Sequence, residues 1–269
     1  MIIGNKHFDT QNETYIMGIL NMTPDSFSDG GKYNQLDKAL LQAEKMIQEG
    51  AAIIDVGGES TRPGHVTISA EEEIERVAPV IEKIRHHFDV PISVDTYKSR
   101  VARAAIEAGA SLVNDVWGLR HDPDMASVIA DTDVACCLMH NRKEAVYGNY
   151  VEDVMQDLKD SVEIGLQAGV PKDKIILDPG VGFGKTYEQN LIIINRLHQL
   201  AGLGYPVLLG TSKKSVIGLA LDLPVDERTE GTLVTTVFAV AHHCSFVRVH
   251  DIKENKRAIA MAKAILRAN

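Results

Sequence analysis

Short apolar runs in this 269-residue chain end, one after another, in residues that can do chemistry. Asn21 follows Ile16–Leu20, Asp95 follows Pro91–Val94, Asn114 follows Ser111–Val113, and His140 follows Val134–Met139. Asp178 follows Lys174–Leu177, Ser212 to Ser215 follow Pro206–Leu209, and Arg248 and His250 lie in and just after Phe246–Val249. The run Ala51–Val56 has no such end, but Thr61 and Arg62 come a few residues later in its loop. Two carboxylates and an amide, Asp95, Asp178 and Asn114, suit a flat heterocycle with amino and lactam N–H donors, because a carboxylate accepts two parallel bonds. Any one of the three could equally cap the helix that follows it.

Arg62, Arg248 and His250 offer cationic donors to a phosphate. Asn21 offers an oxygen to a Mg2+ that keeps most of its waters and binds phosphate oxygens. Arg248 sits inside an apolar run, where burial without a partner would cost several kcal/mol, so an anion or a carboxylate must meet it. Lys214 and Ser215 open a helix whose free N–H groups and dipole favour a carboxylate. Lys213 beside them is expected to be a solvated charge.

These residues need a scaffold that brings strand ends together. Between the runs lie segments with helical spacing. In Gln35–Glu49 the apolar positions Leu36, Ala39, Leu40, Ala43, Met46 and Ile47 share a face, and Gly50 stops the segment. Ser69 followed by Glu72 is a capping-box signal for a helix to about His87. Further helices are expected over Lys98–Ala108, after Asp122-Pro123, over Val151–Ala168, Glu188–Leu200, Glu230–His242 and Lys253–Arg267. Continuous apolar strands alternating with helices pair in parallel with both faces covered. Eight such units without a linker predict a single (β/α)8 barrel over 1–269, with 1–15 as a strand or hairpin extension. In that fold the strand C-termini form one mouth, where active sites lie. An open dinucleotide-binding sheet is disfavoured, since no GxGxxG follows the first strand.

Composition sets the remaining limits. A net charge of −9 disfavours nucleic acid as a general partner and requires a local basic cluster for any anionic ligand. No apolar run reaches the roughly 18 residues of a membrane span, and the N-terminus lacks a signal-peptide plan. Cys136, Cys137 and Cys244 have no metal-ligand spacing, so buried, reduced thiols in a cytoplasmic protein are expected.

MGILNMTPDSFSDGG, DVGGESTRPG, SVDT, NDVWG, LDPGVGFGK, GTSKKS and RVHD, spread over residues 17–251, together resemble the dihydropteroate synthases of bacterial folate synthesis. The resemblance implies a (β/α)8 barrel that joins 6-hydroxymethyl-7,8-dihydropterin diphosphate to 4-aminobenzoate, with Mg2+, in an SN1-like reaction. It implies a pterin pocket of Asp95, Asn114, Met139, Asp178 and Lys214. It implies a diphosphate and metal site of Asn21, Arg62, Arg248 and His250, and an aminobenzoate site of Thr61, Pro63, Phe183, Lys214 and Ser215. Phe27 and Asp29 fall in the family's first mobile loop, with Asp29 a stabiliser of the reacting cation; Arg62 and Pro63 fall in its second. Arg62, Lys214, Arg248, His250 and Asp29 are then the catalytic set, and a homodimer is implied. Lys213 stands where many relatives carry Arg, which keeps the charge but loses the planar fork. A methyltransferase barrel that binds a folate would have no use for the leaving-group residues. An idle pterin binder would not need them either. A Schiff-base aldolase would need a lysine alone within a strand, and there is none.

Overall fold

Alternating inward and outward side chains along each strand decide what this barrel buries and what it displays. A computed structural model of the chain describes residues 1–22, 32–60 and 66–268. Phe27, Asp29, Thr61, Arg62 and Pro63 lie outside the described residues. Among the described residues the strands are β1 (Ile2–Ile3), β2 (Lys6–His7), β3 (Tyr15–Asn21), β4 (Ile53–Gly57), β5 (Ile92–Asp95), β6 (Leu112–Asp115), β7 (Ala135–Met139), β8 (Ile175–Asp178), β9 (Leu208–Leu209) and β10 (Phe246–Val249). The helices are α1 (Lys32–Glu49), α2 (Ala70–His87), α3 (Ser99–Glu107), α4 (Met125–Thr132), α5 (Tyr150–Gln167), α6 (Tyr187–Asn195), α7 (Leu197–Ala201), α8 (Ser215–Leu221), α9 (Thr229–Ala241) and α10 (Ile252–Arg267).

β3 to β10 form an eight-stranded parallel sheet in the order β8-β7-β6-β5-β4-β3-β10-β9. A bridge between Leu177 and Val207 joins its two ends, with the Leu177 N–H donating to Pro206 O at 2.9 Å. This is the expected (β/α)8 barrel. Ser69 caps α2 by accepting from the Glu72 N–H at 3.1 Å, as its spacing predicts. The single helix expected over Glu188–Leu200 is instead two, α6 and α7, divided at Arg196, whose backbone (φ −109, ψ 15) leaves the helical region.

The core has two layers. Outward strand residues such as Ile54, Val56, Val94, Leu138 and Leu177 pack beneath the helices, and all are fully buried. Each such aliphatic side chain contributes roughly 1.5–3 kcal/mol by leaving water. Inward residues, among them Met17, Ile53, Leu112, Cys137, Ile176 and Phe246, fill the lower barrel. Ile3 and Phe8 of the N-terminal hairpin join that layer, with the Phe8 ring 5.7 Å from Phe246. The hairpin therefore plugs the bottom of the barrel, and the polar strand ends lie at the opposite end. All three cysteines are free and buried, and among the described residues no helix is long and apolar enough to cross a membrane.

Candidate active site

Two residues above several of the inward apolar positions the same strand face turns polar, because side chains alternate with period two. Leu112 is thus followed by Asn114, Ile176 by Asp178, and Phe246 by Arg248 and then His250. Strand register lines these groups up: Asn21 lies opposite Gly57, Gly57 opposite Asp95, and Asp95 opposite Asn114. Met139 lies opposite Asp178 on the far side.

Arg248 organises the floor of the mouth. Its Nε donates to Asp55 Oδ2 and its Nη2 to Asp95 Oδ2, each at 2.6 Å, and both carboxylates are buried. Its required partner is thus a carboxylate pair, and among the described residues Nη1 has no protein partner. Burial works against the guanidinium charge, but Asp55 and Asp95 outweigh it and hold its pKa above the ordinary value. Burial, opposed by Arg248 and helped by Asp55, pushes the Asp95 carboxyl up to about 7. Asn114 Nδ2 donates to Asp95 Oδ1 at 3.3 Å.

Asp178 takes the Gly180 N–H on Oδ1 at 2.7 Å. A Cβ on Gly210 would stand 3.7 Å from Asp178 Oδ2, 3.8 Å from Arg248 Cβ and 3.9 Å from Lys214 Nζ, so three of the expected residues converge on one point. Burial raises the Asp178 carboxyl, with Lys214 opposing. Burial brings Lys214 down to about 8, against the pull of Asp178. The Lys214 ammonium donates to Val181 O at 2.6 Å and lies 4.8 Å from the centre of the Phe183 ring. Phe183 and Trp117 lean on a small apolar cluster of Tyr97, Val116 and Met139. Ser215 is exposed at the start of α8.

His250 and Ser212 are joined twice. The Ser212 hydroxyl meets His250 Nδ1 at 2.9 Å, and the His250 N–H donates to Ser212 Oγ at 3.2 Å. Asn21 Oδ1 and Asp95 Oδ2 stand 3.5 and 3.7 Å from where a Cβ on Gly57 would be. Among the described residues no three His, Cys, Asp or Glu side chains could hold a metal ion. The donor that remains, the half-buried Asn21 amide oxygen, fits a Mg2+ that takes most of its ligands from water and phosphate.

Two residues differ from expectation. His140 does not join the mouth: its side chain is wholly buried and is held between Asp157 and Lys185, behind the turn that follows β8. Lys213 is not a solvated charge; its ammonium pairs with Asp251 at 3.0 Å, and its backbone takes a left-handed φ of 57. Asp55 and Lys185 are further functional candidates that the strand-end pattern passes over. Asp55 had one signal, a carboxylate within an apolar strand, which is the complement of Arg248 within another.

A family model for pterin-binding enzymes matches residues 17–250. A dihydropteroate synthase of Clostridium beijerinckii is 59% identical over 268 residues, covering 99% of this chain and 100% of the relative. The dihydropteroate synthase of Clostridium difficile, solved in the presence of pteroic acid, superposes with a TM-score of 0.95 at 52% identity, covering 97% of this chain and 100% of that one. That of Xanthomonas albilineans, solved with 4-aminobenzoic acid, gives a TM-score of 0.92 at 38% identity, with 96% and 95% covered.

Proposed function

The chain belongs to the pterin-binding enzymes and is a dihydropteroate synthase; from that premise we propose how its own residues carry out the condensation of dihydropterin diphosphate with 4-aminobenzoate. The observation that carries the reading is the convergence of Asp178, Lys214 and Arg248 around Gly210, beside the Asp95–Asn114 pair.

Asp178 Oδ2 and Asp95 accept the amino and ring N–H donors of the pterin, and Asn114 adds an amide to the same edge. Lys214, with one donor given to Val181, directs another to a ring acceptor. Met139 forms the apolar wall. The Arg248 guanidinium, fixed by two carboxylates, is a rigid planar base for the ring and adds positive charge near the reacting methylene. The diphosphate leaves toward Arg62, His250 and Asn21, where positive charge stabilises the breaking C–O bond more than the intact one. An electron-rich dihydropterin carries the cation that results, which gives the reaction its SN1-like order, and Asp29 steadies that cation from the first loop. Arg248 is held by Asp55 and Asp95 and Lys214 faces Asp178, so these pocket cations are already engaged and leave little spare positive charge for a diphosphate. Arg62 and Mg2+ fit that need. Asn21 would hold the Mg2+, which supplies charge neutralisation to the diphosphate oxygens when bound.

The aminobenzoate takes the Phe183 side of the pocket, with its carboxylate toward Ser215 and Lys214, and Thr61 and Pro63 are assigned to the same substrate. Its amine attacks the methylene, forming the C–N bond and losing a proton to water. The chain works in the cytoplasm, in keeping with its reduced cysteines, as a single domain over 1–269. It pairs with a second copy through Leu191 and Ile192 of α6, Leu219 and Leu221 of α8, and Val237 and Phe238 of α9, all exposed apolar residues on neighbouring helices.

Site variants test the assignment. Asp178→Ala should weaken pterin binding about tenfold or more, since a charge-assisted bond is worth about 1.5–3 kcal/mol, while Arg248→Ala lowers turnover much further. Near-normal turnover in Arg248→Ala would overturn the charge-neutralisation reading.

A further inference from the structure

Behind Asp178 runs a chain of charged groups that the reaction itself leaves unused. Asp157, on α5, accepts from His140 Nε2 at 2.9 Å and from Arg142 Nε at 2.6 Å. The other imidazole nitrogen, His140 Nδ1, accepts from the Lys185 ammonium at 2.8 Å. The two neighbours fix the ring as the neutral Nε2–H tautomer, since Nδ1 must offer a lone pair to Lys185. Burial, reinforced by Lys185, accordingly drives the His140 pKa down to about 3.

Lys185 uses its second donor on Phe183 O at 2.9 Å. It therefore ties β7's end to the turn over residues 180–184, which carries both the Gly180 N–H on Asp178 and the Phe183 ring. The fit is close. Gly180 (φ 69) has no room for a side chain, because a Cβ there would stand 1.8 Å from His140 O and 3.2 Å from Lys185 Nζ. Gly184 (φ 53) meets Arg142 O in the same way, with a Cβ at 2.2 Å. Tyr147 OH donates to Gly184 O at 2.7 Å, and the Arg142 guanidinium stacks 4.5 Å from the Tyr147 ring. Two loops are interlocked, and the buried ammonium is the pin between them.

We propose that Lys185, braced by His140 and Asp157, is a positioning residue for pterin recognition: it pins the turn that holds Asp178 and Phe183 in their binding geometry. This rests on Asp178 facing the pterin, so the two must be tested apart. Because Lys185 touches the turn and not the reacting atoms, its loss should act on binding and spare the chemical step.

The experiment compares Lys185→Met, Lys185→Arg, Asp157→Asn and Asp178→Asn by steady-state kinetics and by calorimetric titration with pterin-6-carboxylate. Lys185→Met should raise the KM for the pterin diphosphate about tenfold, the equivalent of one charge-assisted bond, with kcat within about threefold. Lys185→Arg, which keeps charge and donors, should recover most of that loss. Asp157→Asn, which keeps an oxygen and the side-chain shape, should give a smaller rise of about threefold with the protein still folded. If Asp178→Asn leaves pterin affinity unchanged, the pterin-site reading itself fails. If Asp178→Asn weakens binding but folded Lys185→Met and Asp157→Asn bind as the parent does, the positioning role is refuted. A fall in kcat at unchanged KM in Lys185→Met would also refute it.

Discussion

Arg248→Met removes the charge that, among the described residues, touches both Asp55 and Asp95. The two carboxylates are 0% and 5% exposed, so neither can turn to water for compensation. Breaking one side of a buried ion pair costs about 3–5 kcal/mol. The Asp95 carboxyl already stands near 7 against an ordinary 3.8, a difference equivalent to at most about 4 kcal/mol. With its folded pKa above its unfolded one, the folded state binds the extra proton between those values, and stability falls as pH rises through the window. Loss of the guanidinium moves the folded pKa higher still and carries the window upward. The deficit of the variant relative to the parent should therefore grow with pH, reaching about 3–5 kcal/mol near pH 8 and less near pH 6. Urea unfolding of both proteins at the two pH values reads it. A deficit below about 1 kcal/mol, the size of an exposed pair, or one that shrinks as pH rises, would refute the reasoning.

Burial leaves Lys214 with a pKa of about 8, so its charge is lost as pH rises through that value; pterin affinity should fall there. Lys214→Arg, which stays charged, should flatten that alkaline limb, and a parent profile already flat across it would contradict the assignment. Gly180→Ala places a Cβ against His140 O at a left-handed φ of 69. Its thermal unfolding should show a loss of about 2 kcal/mol or more, and parent-like melting would mean that the turn is not locked as described.

The barrel was legible because its strands are short, mostly apolar runs and its helices carry one apolar face, so two periods alternate along the chain. The rim was legible because strand ends are where a barrel gathers polar groups. That pattern places Asp95, Asn114, Asp178, Lys214 and Arg248 together without any family comparison. It misplaces His140, since one residue's difference in register turns a side chain from the mouth to the reverse side. Asp55 was hidden by its own surroundings: a carboxylate inside a buried strand shows its purpose only when its partner, 193 residues away, is seen beside it. Asp157 reads as one more polar position on an amphipathic helix, and Lys185 as the end of a glycine-rich turn. Ion pairs across the fold leave no local periodicity. Nor does the N-terminal hairpin, whose Ile3 and Phe8 find their role only against Phe246.

The most direct measurement is pyrophosphate release by the purified protein from dihydropterin diphosphate with Mg2+, with and without 4-aminobenzoate. Release that depends on the amine and matches dihydropteroate formation mole for mole is expected, with slow release from the pterin substrate alone if the C–O bond breaks before attack. Tight pterin binding with no pyrophosphate formed under either condition would contradict synthase chemistry at this site.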